Sequence, residues 1–327
     1  MMEVVNKALE GNRPLFYVFV SGFGFAVQSL VVKMLTEGGM HLSMPCLFFR
    51  GVCQTALSLY VIHTSAETEK DNGLRLFGDT WHIQFTLLMR SILGYIGLHC
   101  ALMAVEHMSV GDSTTLVMLS PIIAAVGAYI LLGEPWKLPE FVAAFCGLLG
   151  GVFITKPAFL FGTPETEEDS SAHHDFTVGV TLSLIAAFGA GFAYVFVRML
   201  GTTFKMHWAN VCLAQSLIQI FFSIPSMYIF DQMYLFDLPL NVYFMLMVAG
   251  TVGSLSQILL TIGLQREKSA SATAVLTSEV VFGYILQVVF THDTASWLSI
   301  LGASLVSIGI LVIVLLKPSS LSSSSLP

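Results

Sequence analysis

Apolar residues along this chain gather into runs of about 20, long enough to cross the hydrocarbon core of a bilayer as helices. The polar residues gather into the breaks between them. Ten such runs can be drawn: Pro14–Leu35, Leu42–His63, His82–Val105, Ser113–Leu132, Leu138–Thr155, Thr177–Leu200, Trp208–Phe230, Leu238–Gly263, Ser271–Phe290 and Ala295–Leu316. The pattern predicts an all-α, polytopic membrane protein of ten transmembrane helices. The first run is too long for a signal-peptide core and no clear small-residue cleavage site follows it, so it is expected to remain as the first span.

The breaks divide the chain. Ala66–Thr80 is rich in charge, and the longest break, Lys156–Asp175, carries Pro157, Pro164 and a Glu/Asp/Ser/His-rich stretch close to the middle. It leaves five spans on each side. The last residues, 317–327, are almost all Ser, Leu and Pro and read as a disordered tail. Basic residues fix the expected orientation. With the N-terminus in the cytosol, the loops on that side carry Lys7, Arg13, Lys70, Arg75, Lys137, Lys205, Arg266, Lys268 and Lys317, and Arg198 sits at the inner end of span 6. The opposite face has only Lys33 and Lys156, and its acidic stretch Glu165–Asp175 has no base. Basic loops stay in the cytosol, so both chain ends are expected there. No retention or lipidation signal chooses between the plasma membrane and an endomembrane.

Composition sharpens this picture. Of 327 residues, 55% are hydrophobic and 11% charged, against roughly 25% charged in soluble chains, which excludes a soluble enzyme. A net charge of −7 offers no basic footprint for nucleic acid. The five cysteines, Cys46, Cys53, Cys100, Cys146 and Cys212, lie in apolar runs without a C-x-x-C pair, as expected of buried, inert thiols. Small residues at Ala124-x-x-x-Ala128, Ala187-x-x-x-Gly191 and Ala249-x-x-x-Gly253 suit close helix packing.

A shift of 159 residues lays Ser113–Glu134 over Ala272–Asp293, with Thr114 on Thr273 and Ser120 on Glu279. Both segments begin with small residues, turn apolar, end in an acid and lead into a glycine-bearing span. An odd number of spans in each unit would make the two units insert in opposite orientation. With these features come particular motifs: Phe48–Phe49–Arg50–Gly51; Leu88–Met89–Arg90 before Gly94; Ala101–Leu102; Met108–Ser109–Val110–Gly111–Asp112; Leu119–Ser120–Pro121; Leu132–Gly133–Glu134; and Ser278–Glu279–Val280–Val281–Phe282. In these the chain resembles the drug/metabolite transporter superfamily of EamA type, and most of all the G group of solute carrier family 35. One departure is Thr291–His292–Asp293 where the second repeat would carry Leu-Gly-Glu. Taken with the loop charges, the resemblance gives a cytosolic N-terminus (1–13), a first EamA-type five-helix repeat (14–156), an acidic loop (157–175), a second EamA-type five-helix repeat (176–316) and a Ser-rich cytosolic tail (317–327).

Charged groups inside hydrocarbon are functional candidates by default. Arg50 and Arg90 each lie about eight residues into a span, roughly 12 Å deep at 1.5 Å per residue, beyond easy reach of water. Either they grip an anionic group, which a guanidinium matches bidentately, or they are structural and bonded to carbonyls or a carboxylate. Glu279, placed near the middle of span 9, either carries a proton or neutralises an arginine. Gln28, Gln54, Gln257 and Ser120 are further candidates for lining a substrate path, as are Gln215 and Gln219, although amides also serve as glue between spans. Pro121 is expected to interrupt its helix. His173–His174–Asp175 reads as a solvated stretch rather than a metal site, and no cofactor is expected.

Three function classes follow. A secondary transporter of a small polar or anionic organic metabolite, working by alternating access, accounts for ten spans, duplication and buried arginines together. An intramembrane enzyme would need a catalytic motif such as H-E-x-x-H or G-x-S-x-G, and neither occurs; a P-loop is also missing. A regulatory or scaffolding multi-pass membrane protein acting through partner binding is the alternative, with only Glu165–Asp175 and the tail to offer a surface. The expected partners are a small-molecule substrate and the lipid bilayer; a homodimer is kept open.

Overall fold

The computed structural model describes residues 2–37, 42–68, 77–107, 110–161, 170–233, 238–291 and 296–316. All regular structure among them is helical: α1 (Met2–Glu37), α2 (Ser43–Thr68), α3 (Trp81–His107), α4 (Val110–Val117), α5 (Ser120–Leu132), α6 (Leu138–Thr155), α7 (Ala158–Phe161), α8 (Ser170–Thr202), α9 (Trp208–Ile229), α10 (Leu240–Arg266), α11 (Ser269–Leu276), α12 (Ser278–Thr291) and α13 (Trp297–Leu316). Ten helical stretches, from Asn12–Leu35 to Trp297–Leu316, are long and apolar enough to cross a membrane. Each overlaps one predicted run, with ends moved by a few residues. α8 starts at Ser170, inside the stretch read as a loop, so His173, His174 and Asp175 fall on helical backbone while their side chains lie outside the described residues. The tail 317–327 and Thr291–His292–Asp293 beyond Thr291 also lie outside them.

Two spans are broken. Span 4 is α4 followed by α5, interrupted at Met118–Leu119. Pro121 lies in the first turn of α5, where its missing N–H costs nothing, whereas in the middle of a continuous helix its ring would clash with the carbonyl four residues back. Span 9 is α11 followed by α12, interrupted at Thr277 with neither proline nor glycine there. The Thr277 hydroxyl donates to Ala274 O at 2.6 Å, a side chain competing with the backbone for its own carbonyls. The shift of 159 residues carries Val110–Val117 onto Ser269–Leu276, so the first segments of both broken spans share their boundaries.

The polypeptide alternates in direction. One apolar cluster joins the starts of spans 1, 3, 5 and 7 (Leu15, Val18, Leu87, Ala143, Val211) to the ends of spans 6, 8 and 10 (Val197, Leu200, Leu260, Leu264, Ile313). At the other end, Leu35 meets Leu42, Cys46, Val242 and Leu246, and Met44 and Leu47 meet Tyr95, Met103 and Met227. The main helix pairs are α3 on α8, α1 on α10, α2 on α9, α2 on α10, α3 on α9, α1 on α12, α5 on α8 and α6 on α13. Numbered as spans, every pair maps onto another or onto itself when span n is exchanged with span n+5.

Glycines allow the closest crossings. A Cβ on Gly150 (α6) would fall 2.5 Å from Gly302 O and 2.7 Å from Val306 Cγ2 on α13. A Cβ on Gly97 (α3) would fall 2.9 Å from Ala190 N on α8. Large apolar side chains such as Phe16, Tyr60, Trp81, Phe244 and Trp297 stay exposed on the outside, which lipid tolerates and water does not. All five cysteines are free.

Polar contacts tie the two halves at each end. At the end where the first cluster lies, Arg198 Nε donates to Glu134 Oε1 at 2.8 Å and its Nη1 donates to Gln265 O at 3.0 Å. Glu134 Oε2 accepts from Ser269 N, the first residue of α11, at 3.3 Å. Beside it, Glu140 Oε1 accepts from the Ser271 hydroxyl at 3.1 Å. At the far end Gln232 Oε1 accepts from Met44 N at 3.0 Å.

Candidate substrate-binding site

Arg50 sits in α2 where α10 crosses it backbone against backbone: a Cβ on Gly250 would lie 3.1 Å from Arg50 N. Ser254 Oγ donates to Arg50 O at 2.9 Å, fastening the same crossing. One turn on, Gly253 leaves the space that Gln28 and the Arg50 stem occupy, since a Cβ there would meet Gln28 Oε1 and stand 3.3 Å from Arg50 Cδ. The guanidinium is thereby led into the bundle, where the residue is 3% exposed. Its Nη2 donates to Gln257 Oε1 at 2.8 Å and it lies over the Phe25 ring, 5.3 Å from the centroid, an arrangement worth about 0.5–2 kcal/mol. Its Nε is buried with no hydrogen-bond partner among the described residues.

Arg90 in α3 is held in a matching way. It is 2% exposed, and its Nη2 donates to Gln215 Oε1 of α9 at 2.6 Å. Gly94 makes this possible: a Cβ there would collide with Arg90 Nη1 and come within 3.6 Å of Gln215 Nε2. The spacing Arg-x-x-x-Gly thus lets the guanidinium fold along its own helix. Arg90 Nε also lacks a partner among the described residues. Each arginine is bonded to a neutral amide, and among the described residues neither has a carboxylate within 4.0 Å. The two guanidiniums lie close enough to feel each other's charge.

Glu279 opens α12 at the break in span 9, half-buried. A Cβ on Gly22 of α1 would lie 3.2 Å from its backbone N, so α1 passes directly against the break. Its carboxylate lies within electrostatic range of Arg50 and of Tyr194 on α8, yet forms no ion pair with either arginine among the described residues. Tyr194 in turn senses both arginines. Six helices, α1, α2, α3, α8, α9 and α10, together with the head of α12, therefore converge on this charged interior.

The other sequence candidates divide. Gln257 and Gln28 belong to the Arg50 surroundings. Gln54 serves the α2–α9 contact, its Nε2 donating to Cys212 O at 2.9 Å, although its Oε1 stays without a partner. Gln219 does similar work, donating to Leu47 O at 2.7 Å. Ser120 is buried at the head of α5, with its carbonyl 3.0 Å from where a Cβ on Gly191 would stand; no hydrogen bond joins it to the arginines. Gln215, a lining candidate from the sequence, belongs to the Arg90 surroundings, and Tyr194 and Phe25 gain a place at the site that no motif singled out. Their signal lay only in depth, each near the middle of its span.

The EamA-like transporter family pattern matches residues 12–156 and again 177–315. Solute carrier family 35 member G1 of Homo sapiens is 28% identical over 310 residues, spanning 92% of this chain and 78% of that protein. A probable transport protein of Saccharomyces cerevisiae is 25% identical over 217 residues, spanning 63% of this chain and 60% of its own. A solved crystal structure superposes with a TM-score of 0.72 over 95% of this chain and 99% of the other, at 16% identity, a likeness of fold.

Proposed function

Because this chain belongs to the EamA-like transporter family and is a multi-pass membrane transporter, we propose that it is a secondary carrier of a small organic metabolite bearing an anionic group. Binding is at Arg50 and Arg90, assisted by Gln257, Gln28 and Glu279. One observation carries this reading: two buried guanidiniums, each bonded to a neutral amide and to no described carboxylate within 4.0 Å. A purely structural buried cation is normally neutralised by a fixed partner, whereas an arginine that awaits an anion is not.

The carrier works by alternating access. The halves 14–156 and 176–316 are inverted repeats, a reading supported by the twofold family match, the shared boundaries of the broken spans and the interchangeable helix pairs. The base-rich end faces the cytosol and holds both chain ends. The Glu134–Arg198–Ser269 contacts then fasten the cytosolic end, and they part when it opens.

The test is a thermal-shift screen of the purified protein against nucleotide sugars, sugar phosphates, organic acids, amino acids and polyamines. A compound present at 100 times its dissociation constant stabilises by about 2.7 kcal/mol. An anionic hit that Arg50→Gln abolishes, followed by its uptake into proteoliposomes, is the expected result. A hit that keeps its full shift in both Arg50→Gln and Arg90→Gln overturns the site.

A further inference from the structure

Each buried guanidinium is met on one edge, and there only in part. The Nε and Nη2 protons of an arginine point the same way and form the fork that a carboxylate or phosphate fills with two oxygens. On Arg90 this fork carries a single amide oxygen. Gln215 Oε1 accepts from Nη2 at 2.6 Å, while Nε has no hydrogen-bond partner among the described residues. Arg50 repeats the pattern, with Gln257 Oε1 on Nη2 at 2.8 Å and Nε likewise unmet among the described residues. The remaining edge of Arg90 is turned to its own helix, since Nη1 lies in the space a Cβ on Gly94 would take. An anion that reaches Arg90 therefore comes to the Nε–Nη2 fork, where Gln215 already stands.

The packing of α2 on α9 gives Gln215 a defined place. Gln54 Nε2 donates to Cys212 O at 2.9 Å and Gln219 Nε2 to Leu47 O at 2.7 Å. A shift of 165 residues carries Gln54 onto Gln219 and Leu47 onto Cys212, so each bond is the other with the halves exchanged. The same shift carries Arg50 onto Gln215. At that level the first half supplies a cation and the second a neutral acceptor. A carboxylate there would close the Arg90 fork for good. An amide oxygen steadies a buried cation without neutralising it, so an anion still gains by taking its place. From this geometry we propose that Gln215 is a placeholder on Arg90: its amide covers half of the fork in the empty carrier, and the ligand's anionic group displaces it to take both donors. This inference rests on the carrier reading above and gives one residue of that site a role in setting affinity. The bond that steadies Arg90 before binding then competes with the ligand and hastens its release.

The test uses the purified full-length chain with inorganic phosphate and succinate as probes, one tetrahedral and one planar at its anionic group. Dissociation constants are read by equilibrium dialysis, stability by melting, and uptake in proteoliposomes. Gln215→Leu binds the better probe about tenfold more tightly, because no charge-assisted bond has to break first. In uptake its KM and kcat fall together, since the ligand leaves more slowly. Gln215→Glu fills both donors with the protein's own carboxylate. It keeps or raises the melting temperature of the empty protein and binds both probes about tenfold or more weakly, a pairing that misfolding does not produce. Weaker binding by Gln215→Leu overturns the placeholder, and so does a Gln215→Glu protein that binds as well as the wild type. Loss of probe binding in Arg50→Gln leaves the anion site standing in either case. Binding indifferent to both Arg50→Gln and Arg90→Gln removes that site and the placeholder together. If neither probe binds the wild type or Gln215→Leu, the fork receives no anion and the proposal falls.

Discussion

The Arg90–Gln215 bond separates a guanidinium held for ligand from one left without support. Replacing Gln215 with Leu keeps the bulk in α9 but removes the only side-chain acceptor, among the described residues, of a residue 2% exposed, at the end of a 2.6 Å bond. Losing a hydrogen bond to a charged group costs about 1.5–3 kcal/mol. Arg90→Leu removes the charge but strands the Gln215 amide, at about 1–3 kcal/mol. In the double variant neither group is left stranded, so part of the two single costs returns, and a coupling of about 1–2 kcal/mol is expected for groups in direct contact. Unfolding in mixed micelles, titrated with a denaturing detergent, measures all four corners of this cycle. Gly94→Ala gives an independent check. Its methyl displaces Arg90 Nη1, so it should destabilise the native protein and do much less harm in the Arg90→Leu background. Single losses that simply add, with coupling below about 0.5 kcal/mol, would refute the view that Gln215 holds Arg90 in place.

Two further outcomes follow from the helix crossings and the end contacts. Gly302→Ala puts a methyl against Gly150 O and 2.9 Å from Phe153 Cβ, and because backbone cannot yield, melting should report a loss of about 1–3 kcal/mol; Gly283→Ala, with nothing within 4 Å, should be neutral or stabilising by up to about 1 kcal/mol, and equal melting of the two would refute the crossing. Glu134→Gln weakens the bonds to Arg198 and Ser269, so a cysteine placed at Ala274, 1% exposed in α11, should react roughly tenfold faster with a membrane-impermeant maleimide from the base-rich side in a background lacking the native cysteines; an unchanged rate would show that these contacts do not fasten that end.

The ten spans were legible because hydrocarbon imposes one length and one polarity on every crossing. The break in span 4 was legible through Pro121. The break in span 9 was not, since Thr277 and Ser278 are ordinary helix residues and only the repeat shift points there. Arg50 and Arg90 stood out because charge at that depth is rare. Their partners did not, because the five candidate glutamines read alike in sequence. Gln215 and Gln257 are distinguished from Gln54 and Gln219 only by which helix face meets which neighbour. That is a property of tertiary packing, invisible to composition. Arg90-x-x-x-Gly94 shows the reverse case, a short motif whose meaning emerges once the guanidinium is seen to lie in the space of the missing Cβ.

Both arginines belong to the first half of the chain, and both of their amide partners belong to the second. Arg90 is 125 residues from Gln215, and Arg50 is 207 residues from Gln257. A ribosome adding about 5–20 residues per second leaves Arg50 waiting roughly 10–40 s for its partner. Until its own partner is made, each of spans 2 and 3 carries a bare charge that costs about 2.5–3.5 kcal/mol at mid-membrane. The newborn first half is therefore only marginally committed to the bilayer until translation of α9 and α10 completes it. A nascent chain stalled between the halves displays two unpaired guanidiniums to lipid, which marks it as unfinished to any membrane machinery that senses charge.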